Sequence, residues 1–167
     1  VRQSVEAGAT VATFSGDKIL GGPQAGIAVG SASAISRMRA NPLMRALRPG
    51  KLTLAALSAT LASYLRGEAE SSVPVLAAIT APLDELRRRA TELAESLGAA
   101  LGVRARVTAA ELDGLVGGGA APELVLGSWG VLVEPAGELS AGAVSSAMLE
   151  ATPAVVALTR DDRVVID

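Results

Sequence analysis

Thr10-Val11-Ala12-Thr13-Phe14-Ser15-Gly16-Asp17-Lys18-Ile19-Leu20-Gly21-Gly22-Pro23-Gln24-Ala25-Gly26-Ile27-Ala28-Val29-Gly30 is the stretch on which the fold turns. The β-branched and aromatic run Thr10 to Phe14 predicts a strand, Ser15-Gly16-Asp17-Lys18 a turn, and Ala25 to Gly30 a second short strand. The result is a strand, a polar loop and a strand, with Lys18 between the two. A lysine becomes a useful amine nucleophile only when its charged form is disfavoured. A loop between two buried strands supplies the partial desolvation and the fixed position. The small residues around Lys18 let a flat ring and a phosphate approach the backbone. On the residues alone, a solvated loop lysine beside an ordinary Gly-Gly-Pro turn is the commoner explanation.

Outward from this unit, Ser31 can cap a helix through Met38, and Pro42 suits the first turn of another that ends at Pro49-Gly50. Leu54, Leu57, Leu61 and Leu65 keep one face of a helix from Lys51 to Leu65, which Gly67 and the polar stretch to Ser72 terminate. That stretch predicts a domain boundary, with residues 1–65 on one side and 66–167 on the other. Pro82 opens a second amphipathic helix, lined by Leu83, Leu86, Leu93 and Leu97, with Arg87, Arg88 and Glu92 largely on the other faces. Val103 to Thr108 and Val131 to Val133 read as strands, Gly117-Gly118-Gly119 as a loop and Ser140 to Glu150 as a helix. Ala154 to Leu158 and Arg163 to Ile166 form a hairpin around Asp161-Asp162. These later elements make a small α+β layer unit, with helices on one face of a mainly antiparallel sheet.

Half of the 167 residues are hydrophobic, mostly Ala, Leu and Val, with one Phe, one Tyr and one Trp, so the core is built from small aliphatic side chains. A formal net charge of -2 gives no global attraction to nucleic acid or anionic lipid, and a contact with either requires a local patch. The chain has no Cys and no His, which removes disulfides, thiolate nucleophiles, Cys or His zinc sites and imidazole bases. Chemistry is left to Lys, Asp, Glu, Arg, Ser or a cofactor, and no metal is expected. No apolar run reaches membrane-spanning length, and Val1-Arg2-Gln3-Ser4 is neither a signal peptide nor a start with Met. The expectation is a soluble, cytoplasmic protein truncated at its N-terminus. Arg45 and Arg48 stand three apart, so on a helical turn they share a face on which two guanidinium groups suit a tetrahedral anion. Surface arginines beside Arg37, Arg39 and Lys51 are the plainer reading of these residues alone.

A resemblance shifts these balances. The run Thr13 to Gly26, then Asn41-Pro42-Leu43-Met44-Arg45-Ala46-Leu47-Arg48, Lys51 to Leu57, Val73-Pro74-Val75-Leu76, and Gly117 to Pro122 with Ser128-Trp129 behind it, carry it. Through them the chain resembles, over essentially its whole length, the C-terminal portion of the bacterial selenocysteine synthase family, the L-seryl-tRNA(Sec) selenium transferases. The resemblance implies an α/β fold. Residues 1–65 would be the end of a fold type I large domain that binds pyridoxal 5'-phosphate (PLP), and residues 66–167 a small C-terminal α+β domain.

The same resemblance implies that Lys18 holds PLP and, once released by the substrate, acts as base at the seryl α-carbon. Asp17 would assist proton transfer as the seryl hydroxyl leaves, although a turn-forming Asp explains that residue by itself. Arg45 and Arg48 would bind the phosphate-like group of selenophosphate, whose selenium then adds. The family usually has His where this chain has Asn41, so any role of that imidazole is absent or replaced. Trp129 is expected in the core or an interface, and the triple glycine in a C-terminal loop.

Family members are longer. Their N-terminal tRNA-binding domain and most of the PLP domain precede the point matched by Val1, so contacts to seryl-tRNA(Sec) are expected mainly there, and the chain alone is expected to be an inactive fragment. Homo-oligomers are expected from the same source. Two other readings stand beside this one: a related PLP-dependent ammonia-lyase or paralogue, and a non-catalytic assembly or interaction domain.

Overall fold

A computed structural model of the chain describes residues 1–116 and 125–167. The glycine-rich loop expected from Gly117 to Pro122 lies outside the described residues. Helix and sheet are mixed, in keeping with an α/β class, and the chain divides into two compact units, Val1–Thr80 and Ala81–Asp167. The division falls after Thr80 and not at the 65/66 boundary read from the sequence. Gly67, at φ +72, does end a helix there, but the residues that follow stay with the first unit, where Ala69 and Val73 are buried.

In the first unit, α1 (Arg2–Glu6) precedes β1 (Val11–Ser15) and β2 (Gly26–Gly30), which pair antiparallel with Val11 opposite Gly30 and Ser15 opposite Gly26. Helices α2 (Ala32–Ala40), α3 (Leu43–Ala46), α4 (Lys51–Leu65), α5 (Ala69–Ser72) and α6 (Pro74–Ile79) follow. Ser31 caps α2 as expected, its Oγ accepting a hydrogen bond from the Ala34 N–H at 3.4 Å. Asn41 Oδ1 accepts from the Leu43 N–H at 3.0 Å and so turns the chain into α3.

The leucine row expected to be the inner face of α4 is not its packed face. Leu54, Leu61 and Leu65 are exposed, and the half-buried positions are Thr53, Leu57, Thr60, Ala62 and Ser63. Thr53, Leu57 and Thr60 recur at four and three residues and form a stripe that shares only Leu57 with the leucine row. Polar Thr60 is tolerated on it because its hydroxyl donates to the Ala56 carbonyl at 3.1 Å, one turn back.

The second unit comprises α7 (Leu83–Leu101), β3 (Ala105–Leu115), β4 (Val125–Pro135), α8 (Ala141–Glu150), β5 (Leu158–Arg160) and β6 (Arg163–Ile166). Its strands form one antiparallel sheet in the order β3-β4-β6-β5. Ala90 and Ala94 of α7 and Ala141 of α8 share a core with Val131, Val133 and Val164, so both helices cover the same sheet face, as read from the sequence. On α7 the buried residues are these alanines, while Leu83 and Leu93 are 48% and 40% exposed. Small side chains let the helix axis come close to the sheet, which leaves the longer leucines to the flanks.

The strand expected from Val103 begins at Ala105, after a 3-10 turn at Gly102–Arg104. The terminal hairpin is present, but its first strand begins at Leu158 and not at Ala154. Asp161 and Asp162 have φ of 52° and 57°, the left-handed pair that a two-residue hairpin turn requires and that Asp tolerates. Trp129 is half-buried against the core, with the Arg87 guanidinium 5.1 Å from its ring centre.

Candidate active site

The loop between β1 and β2 is shaped mainly by its own backbone. The Gly16 N–H donates to the Ala25 carbonyl at 2.8 Å, continuing the strand ladder, and the Gly22 N–H donates across the loop to the Gly16 carbonyl at 2.8 Å. Between them the Gly21 N–H closes a turn on the Lys18 carbonyl at 2.9 Å. Glycine is demanded at two of these points. A Cβ on Gly16 would sit 2.6 Å from the Pro23 carbonyl oxygen, and Gly21, at φ +71, has no room for one against Val73.

Helix α4 supports the loop from below. The Tyr64 hydroxyl donates to the Leu20 carbonyl at 3.0 Å, and Thr60 and Leu57 lie next to Gly22. Burial raises the pKa of the Tyr64 hydroxyl, which keeps it a donor. Lys18 and Asp17 stand at the exposed rim of the frame so formed.

Lys18 Nζ donates to Asp17 Oδ2 at 3.1 Å, and the Ser15 hydroxyl donates to Asp17 Oδ1. The carboxylate therefore has a donor on each oxygen. The Ser15 hydrogen bond first, and Lys18 second, hold its pKa below the ordinary aspartate value. The Lys18 side chain remains 47% accessible. The structure thus pairs Asp17 with Lys18 and adds Ser15, which was read only as part of a turn.

Arg45 and Arg48 are placed differently. Arg45 lies in α3, which ends at Ala46, so the helical turn expected to align the two guanidinium groups stops before Arg48. Proline at position 49 explains the stop, since it disfavours helical backbone at the residue before it. Both arginines are exposed, and among the described residues neither joins an ion pair or a hydrogen bond to the lysine loop. Clefts of about 460 and 360 Å³ lie within 81–167, and their linings include none of Asp17, Lys18, Arg45 or Arg48.

The site therefore presents a primary amine on a glycine-bounded hairpin loop, paired with an ionised carboxylate. The family model described as "SelA: L-seryl-tRNA selenium transferase" matches residues 1–167, and the chain belongs to this family.

Curated relatives named L-seryl-tRNA(Sec) selenium transferase agree with it along the whole chain: the chain is 48% identical to the protein from Solidesulfovibrio magneticus, 47% to that from Nitratidesulfovibrio vulgaris and 43% to that from Moorella thermoacetica. The chain spans 36% of the length of each of these relatives. Among the described residues no helix is long and apolar enough to cross a membrane.

Proposed function

We propose that the chain is the part of a selenium transferase that carries the cofactor lysine, and that the whole protein converts seryl-tRNA(Sec) to selenocysteinyl-tRNA(Sec) with selenophosphate. The observation that carries this reading is the Lys18 amine on its glycine-framed loop, ion-paired to Asp17, in a chain of the selenium transferase family. The residues suit PLP: the donor is a single accessible amine, and the loop beside it is kept free of side chains at Gly16, Gly21 and Gly22. Lys18 would hold the cofactor. When bound, PLP supplies an electron sink for the charge that develops at the seryl α-carbon.

The chain's own residues then move protons. Lys18 Nζ, as a free amine, would take the proton from the α-carbon, and Asp17 would keep that nitrogen in place from its position 3.1 Å away. The bond from the β-carbon to the hydroxyl oxygen would break and the oxygen leave as water, taking the α-carbon proton relayed from Lys18 through Asp17. The donor's selenium would then bond to the β-carbon, the donor's proton return to the α-carbon through Lys18, and water cleave the selenium–phosphorus bond to release phosphate. Arg45 and Arg48 would bind the phosphate-like group of the donor through charge-assisted hydrogen bonds. Their separation at the end of α3 favours a grip from two directions over a parallel pair on one helix face.

The test uses the whole protein with Lys18→Ala. The visible absorbance of bound PLP and the formation of selenocysteinyl-tRNA should both be lost, with the melting temperature of the apoprotein unchanged. Retained absorbance and turnover would overturn the assignment.

A further inference from the structure

Residues 18–67 contain seven lysines and arginines and no aspartate or glutamate, in a chain whose formal charge is -2. By compact unit, Val1–Thr80 carries eight basic and four acidic residues, and Ala81–Asp167 carries seven and thirteen. Charge sorted in this way along a chain points to a polyanionic partner for the basic part. The positive share is also concentrated, since Arg37, Arg39, Arg45, Arg48 and Lys51 fall within fifteen consecutive residues.

All five are exposed, and none forms an ion pair among the described residues. Lys18 and Arg66, at the two ends of the run, do have carboxylate partners, in Asp17 and Glu68. Arg37 and Arg39 occupy the last turn of α2, where the helix dipole favours cations. That accounts for those two, and the reading above gives Arg45 and Arg48 to the selenium donor, which leaves Lys51, the first residue of α4, with neither explanation. Helix α2 leaves directly from β2, so the cations lie one helix away from the hairpin that carries Lys18.

We propose that Arg37, Arg39 and Lys51 form a docking surface for the phosphate backbone of an RNA, alongside the Arg45 and Arg48 pair given above to the selenium donor. A phosphodiester chain presents an anion at every step, and guanidinium forks match it without regard to sequence. The proposal rests on the reading above, in which the substrate is an aminoacyl-tRNA, and goes beyond it by assigning part of the RNA contact to this segment, which follows the lysine hairpin in the chain. Leu43, Leu47 and Leu52 are exposed among the same cations. A protein partner would cover them, and the experiment separates the two cases.

Arg37→Gln, Arg39→Gln and Lys51→Gln are combined in the whole protein, leaving Arg45 and Arg48 intact, and tRNA affinity is measured over a series of salt concentrations. The slope of log affinity against log salt should fall in magnitude by about 3, roughly one for each phosphate contact removed, and equally for tRNAs of different sequence. The KM for tRNA should rise while the KM for the selenium donor stays. Arg37→Lys with Arg39→Lys should keep the slope, which separates charge from folding. An unchanged slope and affinity in the glutamine variant overturns the proposal. So does intact RNA binding with an altered oligomeric mass, which would make this surface a protein interface. Failure of the parent protein to bind tRNA overturns the functional reading as well.

Discussion

At the residue scale the site depends on one carboxylate. Asp17 accepts from Ser15 on one oxygen and from Lys18 on the other, so its ionised form is favoured twice. A carboxyl whose folded pKa is depressed keeps this arrangement above its ordinary range and loses it only as pH falls through the lower, folded value. Lys18 is therefore steered by a charged neighbour throughout the neutral range. Ser15→Ala removes the larger of the two causes, and the Asp17 pKa should rise toward the ordinary aspartate value, read from the pH dependence of its carboxyl carbon shift. A titration curve identical to that of the parent would show that Ser15 plays no part. Lys18 and Asp17 were legible as loop residues between two strands, whereas their pairing needed coordinates. Ser15 did carry a signal, the Ser-x-Asp spacing that favours local side-chain hydrogen bonds, but that spacing is too common to mark a site by itself.

At the element scale, the hairpin of β1 and β2 and the cap on α2 follow from residue type, because a β-branched run and a Ser before a helix act locally. The inner face of α4 was not legible in the same way. Leucine spacing suggested Leu54, Leu57, Leu61 and Leu65, but of these only Leu57 is half-buried, in a stripe with Thr53 and Thr60, because the loop it supports places Gly22 against Leu57 and Thr60. Tertiary contact decided between two stripes that periodicity alone could not rank. Tyr64 shows the same limit, since its bond to the Leu20 carbonyl joins residues 44 apart. Tyr64→Phe should cost about 0.5–1 kcal/mol, at the low end for a hydrogen bond because the ring is partly exposed. It should also speed hydrogen exchange at the Gly21 and Gly22 amides more than at the β1–β2 ladder. Uniform exchange across both would mean that Tyr64 does not hold the loop.

At the scale of the whole molecule the two units differ in how they are built. The second has a continuous core shared by two helices and one sheet face, and its layer arrangement was legible because hydrophobic periods and turn residues agreed along it. The first buries only Ala69 and Val73 among its described hydrophobic residues, and it leaves Leu43, Leu47, Leu52 and Leu65 exposed. Its packing was correspondingly hard to read, since patterns along a segment report which residues are apolar and not what covers them. The same unit carries the lysine loop and the acid-free basic run, so the proposed chemistry and the proposed RNA contact both fall in Val1–Thr80. The chain has only two lysines, Lys18 and Lys51, which makes the central claim directly measurable. The whole protein, loaded with PLP, is reduced with borohydride, digested and mapped by mass spectrometry. The account predicts the reduced pyridoxyl group on the peptide containing Lys18, and its appearance on Lys51 or on a lysine outside this chain would contradict it.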